Sequence, residues 1–331
     1  MNLHENKEVF GEVVEAAADE FNLQPFQVEK DYYVSLLLKN LQEVVPNLVF
    51  KGGTSLSKCY DVIHRFSEDI DLTINFDGDK LTSGPLRRHQ KSLIQSITET
   101  IEKLDFALLN DEQDEPIRSK RHFNKYRIGY NRTYQDETDF QMLDHILIET
   151  SLGFKPFPCE IKLVNNYITK FLEKENIDYL IDEYNMYPFS MSIQSIDRTF
   201  LDKLFAVCDY HHDKDYIRKS RHIYDIHMIY QSGLIDSTNL ASLMSQIIEI
   251  RRRGKKTYSC ETGYRPREVM QEIIDNEVFK EDYETNTKEF LSNFVDYETS
   301  IKSLQEIVTR GWLPEEIPED VASLETGLRT D

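Results

Sequence analysis

The chain has 331 residues, 40% of them hydrophobic and 11% aromatic, enough for ordinary packed cores and long enough to favour two domains over one. A formal net charge of -20 argues against broad electrostatic binding to nucleic acid or anionic membrane, so any RNA contact has to use a local basic patch. No apolar run reaches the ~18 residues that span a bilayer, and Met1-Asn2-Leu3-His4-Glu5-Asn6-Lys7 lacks the start of a signal peptide. Cys59, Cys159, Cys208 and Cys260 show no C-x-x-C pair or zinc-ligand spacing, so a soluble, cytoplasmic protein in a reducing compartment is expected.

In chain order, two amphipathic helices come first, one around Lys7 to Phe21 and one after Pro25 with Val28, Tyr32, Leu36 and Leu37 on one face. Leu48-Val49-Phe50 then reads as a strand running into Lys51-Gly52-Gly53-Thr54-Ser55. Glycines let the backbone turn sharply and let phosphate oxygens approach the amides, and Thr54 is placed to cap a helix carrying Leu56 and Tyr60. A phosphate seat is expected here, with Lys51 and Lys58 neutralising phosphate charge. It is not a Walker A loop, because the G-x-x-x-x-G-K-[ST] spacing is missing.

Ser67-Glu68-Asp69-Ile70-Asp71-Leu72 follows, where Ile70, Leu72 and Ile74 alternate with Asp69, Asp71 and Thr73 as on a half-buried strand. Residues i and i+2 share a strand face, so both carboxylates project together, and Mg²⁺ or Mn²⁺ between them would relieve their repulsion. Ser67 is counted with the nucleotide site. Each motif alone is weak; strand, Gly-Gly-Thr, short helix and Ser-x-Asp-x-Asp in that order indicate phosphoryl transfer beside metal. Asp77-Gly78-Asp79 marks a turn and lacks the other ligands of a calcium loop.

A helix over Leu86 to Leu104 and strands near Phe106-Leu109, Lys125-Tyr130 and Leu143-Ser151 come next, closed by Pro156 and Pro158. Glu149 is the candidate third metal carboxylate and general base, with Glu160 in Cys159-Glu160-Ile161-Lys162-Leu163 competing for the role. From Ser195 the pattern turns helical: Ser195 caps a helix with Leu201, Leu204, Phe205 and Cys208 at i, i+3, i+4, i+7 spacing. Lys203 lies near that apolar face, either reaching a nucleotide phosphate or snorkelling. Arg221 and Asp225 stand one helical turn apart, a pairing that a purely structural role also explains. His211, His212, Asp213 and His222 read as surface rather than zinc ligands. Further helices are expected at Ser237-Arg253, Arg267-Asp275, Thr287-Val295 and Ile301-Arg310, and an acidic, flexible or partner-docked tail from Pro314. The basic patches are Arg87-Arg88 with Lys91, Arg118 to Arg132 with Lys120, Arg121, Lys125 and Arg127, and Arg251-Arg252-Arg253 with Lys255-Lys256.

Glu29-Lys30-Asp31-Tyr32-Tyr33, the Lys51-to-Leu56 and Ser67-to-Leu72 motifs, Leu201-Asp202-Lys203-Leu204-Phe205-Ala206 and Ser220-Arg221-His222-Ile223-Tyr224-Asp225-Ile226 together resemble, from about Glu29 to Tyr230, the AbiEii family of nucleotidyltransferase-like toxins. The resemblance implies an α+β fold, a polymerase-β-like nucleotidyltransferase core with a mixed β-sheet followed by an α-helical bundle, here 1–194 and 195–313 with the acidic tail 314–331. It also implies NTP and divalent-metal binding, and a toxin of a toxin–antitoxin pair linked to abortive phage infection, with tRNA ends as acceptor in some members and an antitoxin as possible partner. Position by position, Gly52, Gly53, Thr54 and Ser55 would seat the triphosphate, Asp69 and Asp71 would bind metal, Lys203 would contact the nucleotide, and Asp225 would be the acid of the last motif. Where some relatives have Lys-Asp before the final Tyr-Asp, this chain has Arg221-His222. A nucleotide-binding regulator without catalysis, and an acidic protein-interaction module docking a basic antitoxin, are the alternatives from other classes.

Overall fold

Asn6 accepts the Val9 N–H and opens α1 (Lys7–Phe21), which ends on left-handed Asn22. A reciprocal Gln24/Gln27 capping box and a proline in the first turn start α2 (Pro25–Val44). The expected single apolar face of α2 is an underestimate. Glu29, Lys30 and Asp31 are buried along with Val28, Tyr32 and Leu37, so the helix is enclosed nearly all round. Then come β1 (Leu48–Lys51), α3 (Gly52–Lys58), β2 (Asp69–Ile74), α4 (Ser83–Lys103), β3 (Ala107–Leu108), β4 (Phe123–Gly129), β5 (Ile146–Ser151), β6 (Cys159–Val164), α5 (Tyr167–Glu175), α6 (Asp178–Glu183) and β7 (Phe189–Gln194). α7 (Ile196–Asp213), α8 (Arg221–Gln231), α9 (Leu240–Arg251), α10 (Pro266–Asp275), α11 (Lys280–Thr285) and α12 (Tyr297–Arg310) follow. This computed structural model describes residues 1–65, 69–76, 83–110, 116–119, 122–135, 143–153, 155–254 and 256–326. Ser67, the Asp77-Gly78-Asp79 turn, Lys120, Arg121 and Lys255 lie outside the described residues.

The chain divides into two units, Met1–Asp61 with Phe66–Ile193, and Val62–Arg65 with Gln194–Asp331. The fold is α+β. In the first unit the seven strands form one mixed sheet in the order β3-β4-β5-β2-β1-β7-β6. β2 runs antiparallel to β1 and parallel to β5, while β1 runs parallel to β7. Phe50, Ile70, Leu72, Tyr126, Ile128, Ile146, Ile148 and Ile193 alternate onto one face and share a core with residues of α1, α2, α4 and α5. The opposite face carries Lys51, Asp69, Asp71, Lys125, Arg127 and Glu149, all only partly buried. Strand alternation thus separates the apolar core from the charged face.

The second unit is helical. Ser195 caps α7 as expected, accepting the Arg198 N–H, and Leu201, Leu204, Phe205 and Cys208 are fully buried. Two expectations shift. The helix expected over Thr287–Val295 is only a 3-10 turn, Thr287–Phe290, because Leu291 bridges to Arg65 and Ser292 donates to the His64 carbonyl at 3.0 Å. The stretch from Pro314 is not a loose tail over its described part: Ile317 is fully buried, and it exchanges hydrogen bonds with Gly263 (2.8 Å) and Tyr264 (2.7 Å). Val321 and Leu324 are buried as well, and the 3-10 turn Val321–Thr326 packs on α9. Regularly spaced apolar residues override the acidic composition there.

Candidate active site

α3 starts at Gly52 with φ +78°, a region that costs a residue bearing a Cβ. A Cβ at that position would lie 2.0 Å from Asp71 Oδ2, so only glycine lets the helix start press against this carboxylate. Lys51, not Thr54, occupies the N-cap position, and the helix stops at Lys58, short of Tyr60. The Thr54 hydroxyl donates to the Asp69 carbonyl, and the Ser55 hydroxyl donates to the Gly52 carbonyl at 2.8 Å. The Thr54 hydroxyl therefore ties the two motifs together, and the Ser55 hydroxyl braces the first turn of α3.

Lys58 departs from expectation. Its ammonium is buried, 2.5 Å from Asp31 Oδ1 and 2.8 Å from Ser35 Oγ, rather than standing ready beside a phosphate. Lys51 remains at the open face, 4.0 Å from Asp71 Oδ1.

Strand register assembles the acids. Lys51, Asp71, Glu149 and Lys125 sit opposite one another across β1, β2, β5 and β4, a row of cation, anion, anion and cation, with Asp69 two residues from Asp71 on the same face. Lys125 Nζ is 2.9 Å from Glu149 Oε1. Burial pushes the Glu149 carboxyl up from its ordinary value; the Lys125 hydrogen bond pulls it back, and the charges of Asp71 and Asp69 add to the rise. Glu160, the competing acid, lies on β6, separated from β2 by β1 and β7, and accepts a hydrogen bond from Tyr60. Among the described residues no group of three or more Asp, Glu, His or Cys side chains is drawn together closely enough to hold a metal ion as it stands. Hard carboxylate oxygens from Asp69, Asp71 and Glu149, and a glycine that leaves room at Asp71, are nonetheless the donor chemistry that a Mg²⁺-type ion takes.

The other two expected residues meet within the second unit. Asp225 is wholly buried, with Oδ1 2.6 Å from Arg65 Nε and Oδ2 2.8 Å from Arg65 Nη2 and 2.7 Å from Lys203 Nζ. Burial by itself would raise this carboxyl, but the two cations against it hold it well below the usual carboxylate range. Lys203 is thus neither snorkelling nor exposed; it is one side of a buried ion cluster. Arg65 carries no local sequence signal, and only the fold brings it to a residue 160 positions away.

The histidines are used locally: His211 bonds the Tyr216 hydroxyl (3.0 Å), His212 stacks on Tyr258 with centroids 3.9 Å apart, and His222 faces the Tyr210 hydroxyl at 3.4 Å. The arginine patch is also structural in part. Arg251 pairs with Asp209 at 2.6 Å, and Arg252 donates to the carbonyls of Cys260, Pro318 and Glu319. Missed beforehand was the specific role of Lys125, whose partner is visible only through register.

Among curated proteins none matches the chain. Residues 36–310 match the family model described as nucleotidyl transferase AbiEii toxin, type IV TA system. That match covers most of the 331 residues, and the chain belongs to this family.

Proposed function

We propose that this AbiEii-family nucleotidyl transferase toxin moves a nucleoside monophosphate from an NTP onto the 3′ hydroxyl of an RNA, tRNA foremost, with Mg²⁺ or Mn²⁺ bound by Asp69, Asp71 and Glu149. The observation that carries the reading is the pairing of Asp71 with Glu149 on neighbouring strands, beside a glycine turn pressed against Asp71. A divalent ion so held supplies positive charge to the phosphoryl oxygens. The Gly52-Gly53 turn receives the triphosphate, with Thr54 and Ser55 bracing it and Lys51 as the nearby cation. Glu149, the acid set opposite Asp71 on the neighbouring strand, is the general base for the attacking hydroxyl. That oxygen bonds to the α-phosphorus, the bond to the β-phosphate oxygen breaks, and pyrophosphate leaves. Within the helical unit, Lys203 and Asp225, expected from the family motifs to belong to the nucleotide site, act as one buried ion cluster with Arg65.

RNA is favoured over a protein hydroxyl by β4. Phe123, Lys125 and Arg127 alternate onto the face that carries Glu149, which offers a half-exposed ring for stacking and two cations for a backbone. The family's toxin–antitoxin setting supports a cognate antitoxin, and four free cysteines support a cytosolic site of action.

Purified protein incubated with Mg²⁺, each α-labelled NTP in turn and total cellular RNA should label one RNA class. Asp69→Ala and Asp71→Ala should abolish both this labelling and growth arrest in cells. Label appearing on protein, or toxicity undiminished in both variants, would overturn the assignment.

A further inference from the structure

Glu29, Lys30 and Asp31 on α2 are only 0%, 2% and 8% exposed, an unusual burial for three consecutive charged residues. Successive helix positions point ~100° apart, so the three side chains leave α2 in different directions. Each direction ends on a different segment of the first unit. The Glu29 carboxylate accepts the Thr133 and Tyr134 N–H groups at 2.7 and 3.0 Å, which holds the chain beyond β4. Lys30 Nζ donates to the Leu143 carbonyl at 2.8 Å, just ahead of the strand that carries Glu149. Asp31 accepts the Tyr167 N–H at 2.9 Å through one oxygen and Lys58 Nζ at 2.5 Å through the other. Lys58, the last residue of α3, also donates to the Asp31 carbonyl at 3.2 Å and to Ser35 Oγ at 2.8 Å.

α3 is therefore fastened at both ends. Its first turn leans on β2 through Gly52 against Asp71 and Thr54 on the Asp69 carbonyl. Its last residue is tied to α2. We propose that Glu29-Lys30-Asp31 is the positioning triplet of the nucleotidyl transfer site, and that Lys58 is the strut through which Asp31 sets the place of α3 over the two aspartates. This rests on the function proposed above only for its catalytic consequence; the mechanical claim stands separately.

A strut and a stored phosphate ligand respond oppositely to one substitution. If Lys58 holds α3, then Asp31→Asn and Lys58→Met each loosen the helix, raise the KM for NTP by about tenfold and lower kcat, and the double variant is no worse than either single one. If Asp31 merely parks a lysine that later binds phosphate, Asp31→Asn frees Lys58 and lowers the KM. The experiment measures backbone hydrogen exchange across Gly52–Lys58 in nucleotide-free protein, together with KM and kcat for each of the four NTPs, with circular dichroism melting to confirm folding. Faster α3 exchange in Asp31→Asn with a raised KM supports the strut; unchanged exchange, or a lowered KM, overturns it. Should Asp31→Asn fail to fold, Ser35→Ala removes one acceptor of Lys58 and gives the same exchange readout in milder form. If the wild-type protein transfers nucleotide from none of the four NTPs, the functional proposal falls, and the exchange measurement still decides the strut.

Discussion

At Gly52 a single hydrogen atom in place of a methyl group decides whether Asp71 keeps its position. Gly52→Ala forces a Cβ to 2.0 Å from Oδ2 and strains a backbone at φ +78°, so Asp71 has to move. Displacement on the 1 Å scale at a reacting centre costs on the order of 10²-fold, and kcat/KM for labelled-nucleotide transfer should fall by about that factor, more than the roughly 1–2 kcal/mol of stability that the strained backbone costs would explain by unfolding. Asp225 acts on stability instead. Its folded carboxyl is held well below the ordinary ~3.9, so the unfolded chain binds its proton more readily and the stabilisation is complete above about pH 4. As pH falls below that, the stabilisation is lost. Asp225→Asn leaves Arg65 and Lys203 buried without their shared anion and should cost about 3–5 kcal/mol at pH 7. Urea unfolding at pH 7 and pH 3 should show a large gap between wild type and variant at the higher pH and a smaller one at the lower.

At the scale of elements, helix and strand periodicities were readable wherever one face alone is buried. α1 and the α7 cap follow the pattern, and so does β2, because a single amphipathic signal is enough to place them. For α2 the signal placed the helix and its apolar face but not the burial of its charged residues through specific partners, and it failed for the segment after α11, where long-range backbone bonds to His64 and Arg65 replace a helix. The stretch beyond α12 shows the same limit: its charge and prolines suggest a loose tail, yet Ile317 fills a site beside Gly263 and Tyr264. Ile317→Ala should destabilise the helical unit by about 2–5 kcal/mol, measurable as a shift of the thermal transition. An unshifted transition would mean that this segment docks without stabilising.

For the whole molecule, a net charge of -20 and an RNA acceptor are compatible only if the contact is small. With Lys125 and Arg127 as the cations on the site face of β4, the logarithm of RNA affinity should fall against the logarithm of salt with a slope of about -1 to -2, since each single-strand phosphate contact contributes ~0.7. A slope near -6 would require a much wider basic footprint than this strand supplies. Filter binding from low to moderate salt, with the Lys125→Ala variant showing a shallower slope, checks the estimate. No helix among the described residues is long and apolar enough to cross a membrane, in keeping with the composition.

The amino-acid sequence by itself determined the local form of the two motifs proposed to carry the chemistry, because the Gly52-Gly53 turn and the shared face of Asp69 and Asp71 follow from backbone geometry and strand alternation, both written in neighbouring residues. It also carried the order of motifs by which the family is identified. The tertiary structure alone decided which acid stands beside Asp71, since Glu149 and Glu160 are equivalent until sheet order places one on β5 and the other on β6. It decided too that Lys58 and Lys203 are buried in ion pairs, because the partners Asp31 and Asp225 are remote in sequence and strand register and helix packing have no local code.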